Sequence, residues 1–194
     1  MLPADGEVLH FSEDPSITRF VPRVARTARV SAPYVWAVDA QRCPAYWFPR
    51  QCPRILAWAT ASSVSSDVAR IVGPSGGTRV HVIEYAWLDL MRTVQLYAYR
   101  LPSEPFRPFI EPEPARGDAE AEPSAHVAES PIEPLGPPLR VGNLFALHDA
   151  AGIDLRVVRT LWPMWEAVAG SSLGFSGGDV APWFPGSRFN TLGP

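Results

Sequence analysis

Val8-Leu9-His10-Phe11-Ser12-Glu13-Asp14-Pro15 is a short apolar run that carries one histidine and then breaks into a polar, proline-stopped loop. The pattern reads as a strand over about residues 7–11, with an imidazole at its end where a scaffold can hold it beside a cleft. An irregular arm follows, with Phe20, Val21 and Pro22 packing back. Residues 33–38 form a second strand, too apolar for one wet face and so expected to be central. Asp39 can cap a short helix over 40–48, which Pro44 limits to about a turn and a half.

The same alternation of short strands and turns continues. Strands are expected at 54–58, 79–85, 94–101 and 154–158. In the second of these, Val80, Val82 and Glu84 share one face, and His81, Ile83 and Tyr85 the other. Residues 62–66 form a loop or the cap of a short helix through Arg70, and 73–77 form a turn. Short helices are expected near Trp87 to Met91, over 143–151 with Asn143 as cap and Gly152 as stop, and over 162–169 before Gly170. Strands dominate without regular βαβ alternation, which argues an α+β fold with a bent, mixed or mainly antiparallel sheet and short helices.

Residues 102–138 hold ten prolines. Such a segment buries too little apolar surface to offset its ordering entropy, so it reads as a Pro/Glu-rich flexible insertion, with a short strand near His126-Val127-Ala128 hidden inside it. The expected organisation is a single α+β domain built from 1–101 and 139–176, with 102–138 inserted and 177–194 a loose tail.

Composition closes several chemistries. All 17 basic side chains are arginine. Without lysine there is no Schiff-base chemistry and no G-x-x-x-x-G-K-[ST] phosphate loop. There is no G-x-G-x-x-G after a strand, no G-x-S-x-G elbow and no H-E-x-x-H, so no metal is expected. The net charge is -3. Residues 104–138 carry eight acidic groups against two arginines, which leaves the rest mildly basic. That suits a small anionic ligand and argues against duplex nucleic acid. The N-terminus lacks the apolar core of a signal peptide, and no apolar run is long enough to span a membrane. A cytoplasmic protein is expected, with Cys43 and Cys52 reduced and inert.

The candidate site residues follow from these placements. His10 can donate one hydrogen bond to a ligand hydroxyl while backbone fixes its other ring nitrogen, with Ser12 and Glu13 projecting from the adjoining loop. A structural histidine followed by an ordinary Ser-Glu-Asp-Pro turn accounts for the same residues. Tyr46, Trp47 and Phe48 beside Arg50 can stack a flat base and pair a phosphate, or form a hydrophobic wall with one surface arginine. Glu84 is either at a strand edge or buried with a partner, and Glu129 and Glu133 read as solvated.

The motifs His10-Phe-Ser-Glu-Asp-Pro-Ser-Ile-Thr-Arg-Phe-Val-Pro-Arg23, Val35-Trp-Ala-Val-Asp39 and Tyr46-Trp-Phe-Pro-Arg-Gln-Cys-Pro-Arg54 resemble a bacterial family of unknown function. A weaker likeness is more suggestive. A first strand ending in Leu-His-Phe-Ser, followed by a second strand and an aromatic-bearing helix, is similar to the opening of ADP-ribosyltransferase-like domains. That resemblance implies an ADP-ribosyltransferase-like fold with NAD as substrate. His10 would hold the adenosine-side ribose, Tyr46 would pack on nicotinamide, and a later glutamate would hold the nicotinamide ribose. Glu129, in His126-Val127-Ala128-Glu129, would supply that carboxylate, with Glu84 as the alternative. A fixed carboxylate stabilises the oxocarbenium-like cation formed when the glycosidic bond breaks. The rival readings are a catalytically silent binding or interaction module, and an RNA-end phosphate-transfer enzyme that would need Arg23, Arg50 and Arg54 to converge.

Overall fold

A computed structural model describes residues 1–24, 31–73, 77–110 and 125–177. Its strands in chain order are β1 (Glu7–Ser12), β2 (Val35–Ala37), β3 (Arg54–Trp58), β4 (Arg79–Glu84), β5 (Tyr97–Pro102), β6 (Arg107–Phe109), β7 (Ala125–Ala128), β8 (Leu139–Arg140), β9 (Asp154–Val158) and β10 (Gly174–Ser176). The helices are α1 (Ser65–Asp67), running on as a π turn over Val68–Val72, then α2 (Leu88–Thr93), α3 (Leu144–Ala150) and α4 (Trp162–Ala169). The fold is α+β, with antiparallel and mixed sheets and short helices. Its backbone divides into two compact units, Met1–Phe48 with Gln95–Gly142, and Pro49–Val94 with Asn143–Pro194.

The first unit holds two antiparallel three-stranded sheets, ordered β1-β5-β8 and β2-β7-β6. An antiparallel bridge joins them: Leu9 N–H donates to the Val38 carbonyl at 2.9 Å and Val38 N–H returns to Leu9 at 2.8 Å. β2 is thus paired with β7 on one side and tied to β1 on the other, which is why its composition is so apolar. Val8 opposes Leu101, His10 opposes Tyr99 and Ser12 opposes Tyr97. Opposed residues share a face, so these six side chains point one way. Val8, Tyr99 and Leu101 pack there with Phe20, Val35, Ala37, Ala128 and Ile132.

Residues 102–138, expected to form a flexible insertion, contribute β6 and β7 and the buried side chains Phe109, Ala125, Val127, Ala128 and Ile132 to this unit. The prolines mislead because Pro108 sits in β6, the last strand of its sheet, where a missing N–H breaks no ladder bond. Residues 25–30, 74–76, 111–124 and 178–194 lie outside the described residues, and with them the middle of the turn expected at 73–77 and nearly all of the tail expected at 177–194. The helix expected over 40–48 is only a 3₁₀ turn at Cys43–Tyr46, since Pro44 cannot donate to continue it.

The second unit is a mixed sheet ordered β10-β3-β4-β9, antiparallel except for β4 beside β9. Val80 and Val82 face a core with Ile55, Ile71, Leu161, Val168 and Leu173. The opposite face of β4 carries His81 and Ile83, and α3 covers it through His148. With both faces covered, four consecutive residues of β4 are buried.

Candidate functional site

His10 is half-buried on the inner face of the first unit. Its Nδ1 lies 2.7 Å from the Trp36 carbonyl. A carbonyl only accepts, so Nδ1 carries the proton and Nε2 is the acceptor of the neutral ring. The Phe20 ring packs against the imidazole with centroids 4.6 Å apart. The sequence reading had this histidine donating to a ligand hydroxyl; the Trp36 contact instead makes the neutral ring an acceptor.

Ser12 is buried, and its Oγ accepts the Asp14 N–H at 3.1 Å. Asp14 in turn accepts from the Ser16 N–H and hydroxyl, which hold its carboxyl below the ordinary value. The buried Tyr99 hydroxyl donates to the Asp14 carbonyl at 2.7 Å and accepts from Ile17 N–H at 3.1 Å. The loop after β1 is therefore pinned from below by the residue opposite His10, and the Ser12 hydroxyl serves that turn.

The remaining first-unit candidates lie on other faces. Tyr46 stacks on Phe11 with centroids 6.5 Å apart and planes 12° from parallel. Phe11 follows His10 in a regular strand, so it points to the opposite side, and Tyr46 goes with it. Glu129 follows β7 and is exposed. It pairs with Arg107 at 3.0 Å, and Arg107 also donates to the Tyr34 hydroxyl and lies over its ring. Val127 opposes both Trp36 and Arg107, so this cluster occupies the outer face of its sheet, away from Val35, Ala37 and Ala128. Glu129 does not share the face of His10.

In the second unit, Glu84 Oε1 accepts the Leu161 N–H at 2.9 Å, at the start of α4. A carboxylate there satisfies an orphan donor and complements the helix dipole. Arg50 is exposed, and Arg54 donates to the Cys52 carbonyl at 2.9 Å. Arg23 belongs to the first unit and bridges Tyr34 through its backbone. Cys43 and Cys52 are buried and not joined by a disulfide, and burial, aided by Asp39, raises the Cys43 thiol to about 12. Two depressions mark this unit's surface. One of about 300 Å³ is lined by Thr60, Ser63, Ser65 and Val68, and one of about 330 Å³ by Phe145, His148, Asp149 and Asp154.

Two histidine arrangements escaped the sequence reading. His148 Nδ1 lies 2.7 Å from the Leu144 carbonyl and so donates to it, and its Nε2 accepts from His81 Nδ1 at 3.0 Å. Burial depresses the basicity of both rings, and His148 and the Arg79 and Arg54 charges lower His81 further. His126 stands on β7 opposite Ala37, with Nδ1 3.9 Å from Asp39 Oδ2. These residues are 67 and 87 positions apart, so no local spacing announces either pair. Among the described residues no group of three His, Cys, Asp or Glu is placed to hold a metal, and no helix is long and apolar enough to cross a membrane.

The pattern of one protein family matches residues 9–180. The chain belongs to DUF6886, a family of unknown function. The match spans both units, so membership covers the His10 face and the His81–His148 pair alike. No curated protein matches the chain, and no solved structure does.

Proposed function

We propose that this DUF6886 chain binds an ADP-ribosyl ligand, NAD or ADP-ribose, on the His10 face and does not turn it over. The carrying observation is the 2.7 Å contact between His10 Nδ1 and the Trp36 carbonyl. It fixes the tautomer and orientation of a half-buried imidazole, as a ligand-binding histidine requires. The ADP-ribosyltransferase-like motif gives the ligand class, and the mild arginine excess outside residues 104–138 agrees with an anionic ligand. Turnover would need a carboxylate beside the scissile bond. Glu129 is paired with Arg107 on the outer face, and Glu84 is bonded to the start of α4.

Calorimetry with NAD and ADP-ribose tests the reading, together with an assay for nicotinamide release. His10→Ala is expected to weaken binding about tenfold or more, the loss of one good polar contact, with the fold retained. No nicotinamide release above background is expected. Equal affinity in His10→Ala would refute the site, and NAD cleavage abolished by Glu129→Gln or Glu84→Gln would restore the transferase reading.

A further inference from the structure

We propose that α3 is an acid-released latch: a proton on His148 breaks its hydrogen bond with His81 and frees α3 from β4 while the rest of the second unit stays folded. The latch stands apart from the His10 face and from any ligand there. α3 has seven residues, about two turns, too few to persist without tertiary contacts. It buries two side chains, Leu144 and His148. Its hold on the sheet therefore depends heavily on one bond between two rings, His148 Nε2 to His81 Nδ1 at 3.0 Å. The His148 carbonyl also accepts the Ile153 N–H at 2.9 Å, and Gly152, at φ 65, turns the chain between them. The ring, the end of α3 and the entry to β9 are thus tied to one another.

The bond between the rings requires that both be neutral. His148 Nδ1–H is committed to the Leu144 carbonyl, so a second proton has only Nε2 to take, where it meets the His81 N–H. Of the two rings, His148 is the one to charge: Arg79 on β4 and Arg54 on β3 oppose a proton on His81, whereas the Leu144 carbonyl favours one on His148. The other charged groups on the surrounding elements are Asp149 on α3, Asp154 and Arg156 on β9, and Asp89 and Arg92 on α2. Arg156 is paired with Asp154 and Arg92 with Asp89, and Glu84 lies on the opposite face of β4. An exit stands beside the ring. His148 lines the depression of about 330 Å³ together with Asp149 and Asp154. A charged imidazole that turns outward there meets water and two carboxylates, and regains the hydration that burial denies it.

Hydrogen exchange of the full chain, followed by NMR from pH 8 to 5 and normalised for intrinsic exchange, tests the latch. The amides of α3 and of Ile153 are expected to lose protection about tenfold per pH unit below about 6.5, the slope for one proton taken up on opening, while the β3 amides keep theirs. His148→Leu, which cannot charge, is expected to make α3 protection level over that range. Asp149→Asn is an exposed change that leaves both rings in place, and so tests the latch even if His148→Leu does not fold. It is expected to move the loss of protection to lower pH, because one carboxylate no longer receives the charged ring. Loss of protection in α3 and β3 together would reduce the effect to global acid unfolding and overturn the latch. So would α3 protection that ignores pH, a loss that persists unchanged in His148→Leu, or one that Asp149→Asn leaves at the wild-type pH.

Discussion

A single hydroxyl decides how firmly the loop beside His10 is held. Tyr99 is completely buried opposite that histidine, and its hydroxyl joins two backbone groups of the loop, the Asp14 carbonyl and the Ile17 N–H. Tyr99→Phe keeps the ring and its edge contact with Phe20 but orphans both backbone groups. The expected cost is about 1–3 kcal/mol, the range for leaving buried polar groups unmade, read as a lower urea midpoint at constant slope. A midpoint equal to wild type would mean that the loop is held by its own turn bonds. At the same scale, the Cys43 thiol, raised to about 12 mainly by burial, is expected to resist alkylation by iodoacetamide at pH 8 until the protein unfolds. Rapid native modification of Cys43, located by mass spectrometry, would contradict that environment.

The elements legible in the sequence are those whose ends are fixed by local chemistry. α3 begins where Asn143 accepts from the N–H groups of Phe145 and Ala146, and α4 ends at Gly170. β3 and β9 have the boundaries that their apolar runs suggest. β8 and β10 were not legible, because two or three residues carry no periodicity and become strands only through the partner they meet. β7 was legible as the short strand near His126-Val127-Ala128, whereas β6 was obscured by proline content. The balance is testable at both kinds of element. Asn143→Ala is expected to cost about 1 kcal/mol through the lost cap. Gly174→Ala is expected to cost about 1–3 kcal/mol, because a Cβ there would run into the Trp58 indole, which β3 holds in place. If Gly174→Ala is as stable as wild type, β10 moves freely enough to accommodate a side chain, and its pairing with β3 is loose.

At the scale of the whole molecule, the strand that carries His10 was legible, since an apolar run shows in sequence, although His10 stands inside it and not at its end. Which face Tyr46 and Glu129 join depends on strand register, and register depends on residues brought together from 85 to 95 positions away. The same holds for His81 and His148, whose pairing governs how the molecule answers pH. Both rings are neutral when folded, with basicity lowered first by burial, whereas in the unfolded chain each takes a proton near pH 6.5. Their contribution is therefore complete above about pH 6.5 and declines as the pH falls below it, where the unfolded state binds more protons. A proton on His148 Nε2 would also face the Nδ1–H of His81, replacing a hydrogen bond by two opposed donors. The thermal midpoint is expected to be level between pH 8 and 7 and to fall between about 6.5 and 5. A His81→Phe, His148→Leu double variant is expected to show a shallower fall over that interval. An equal slope in wild type and variant would assign the acid sensitivity to other groups and leave the pair a packing feature alone.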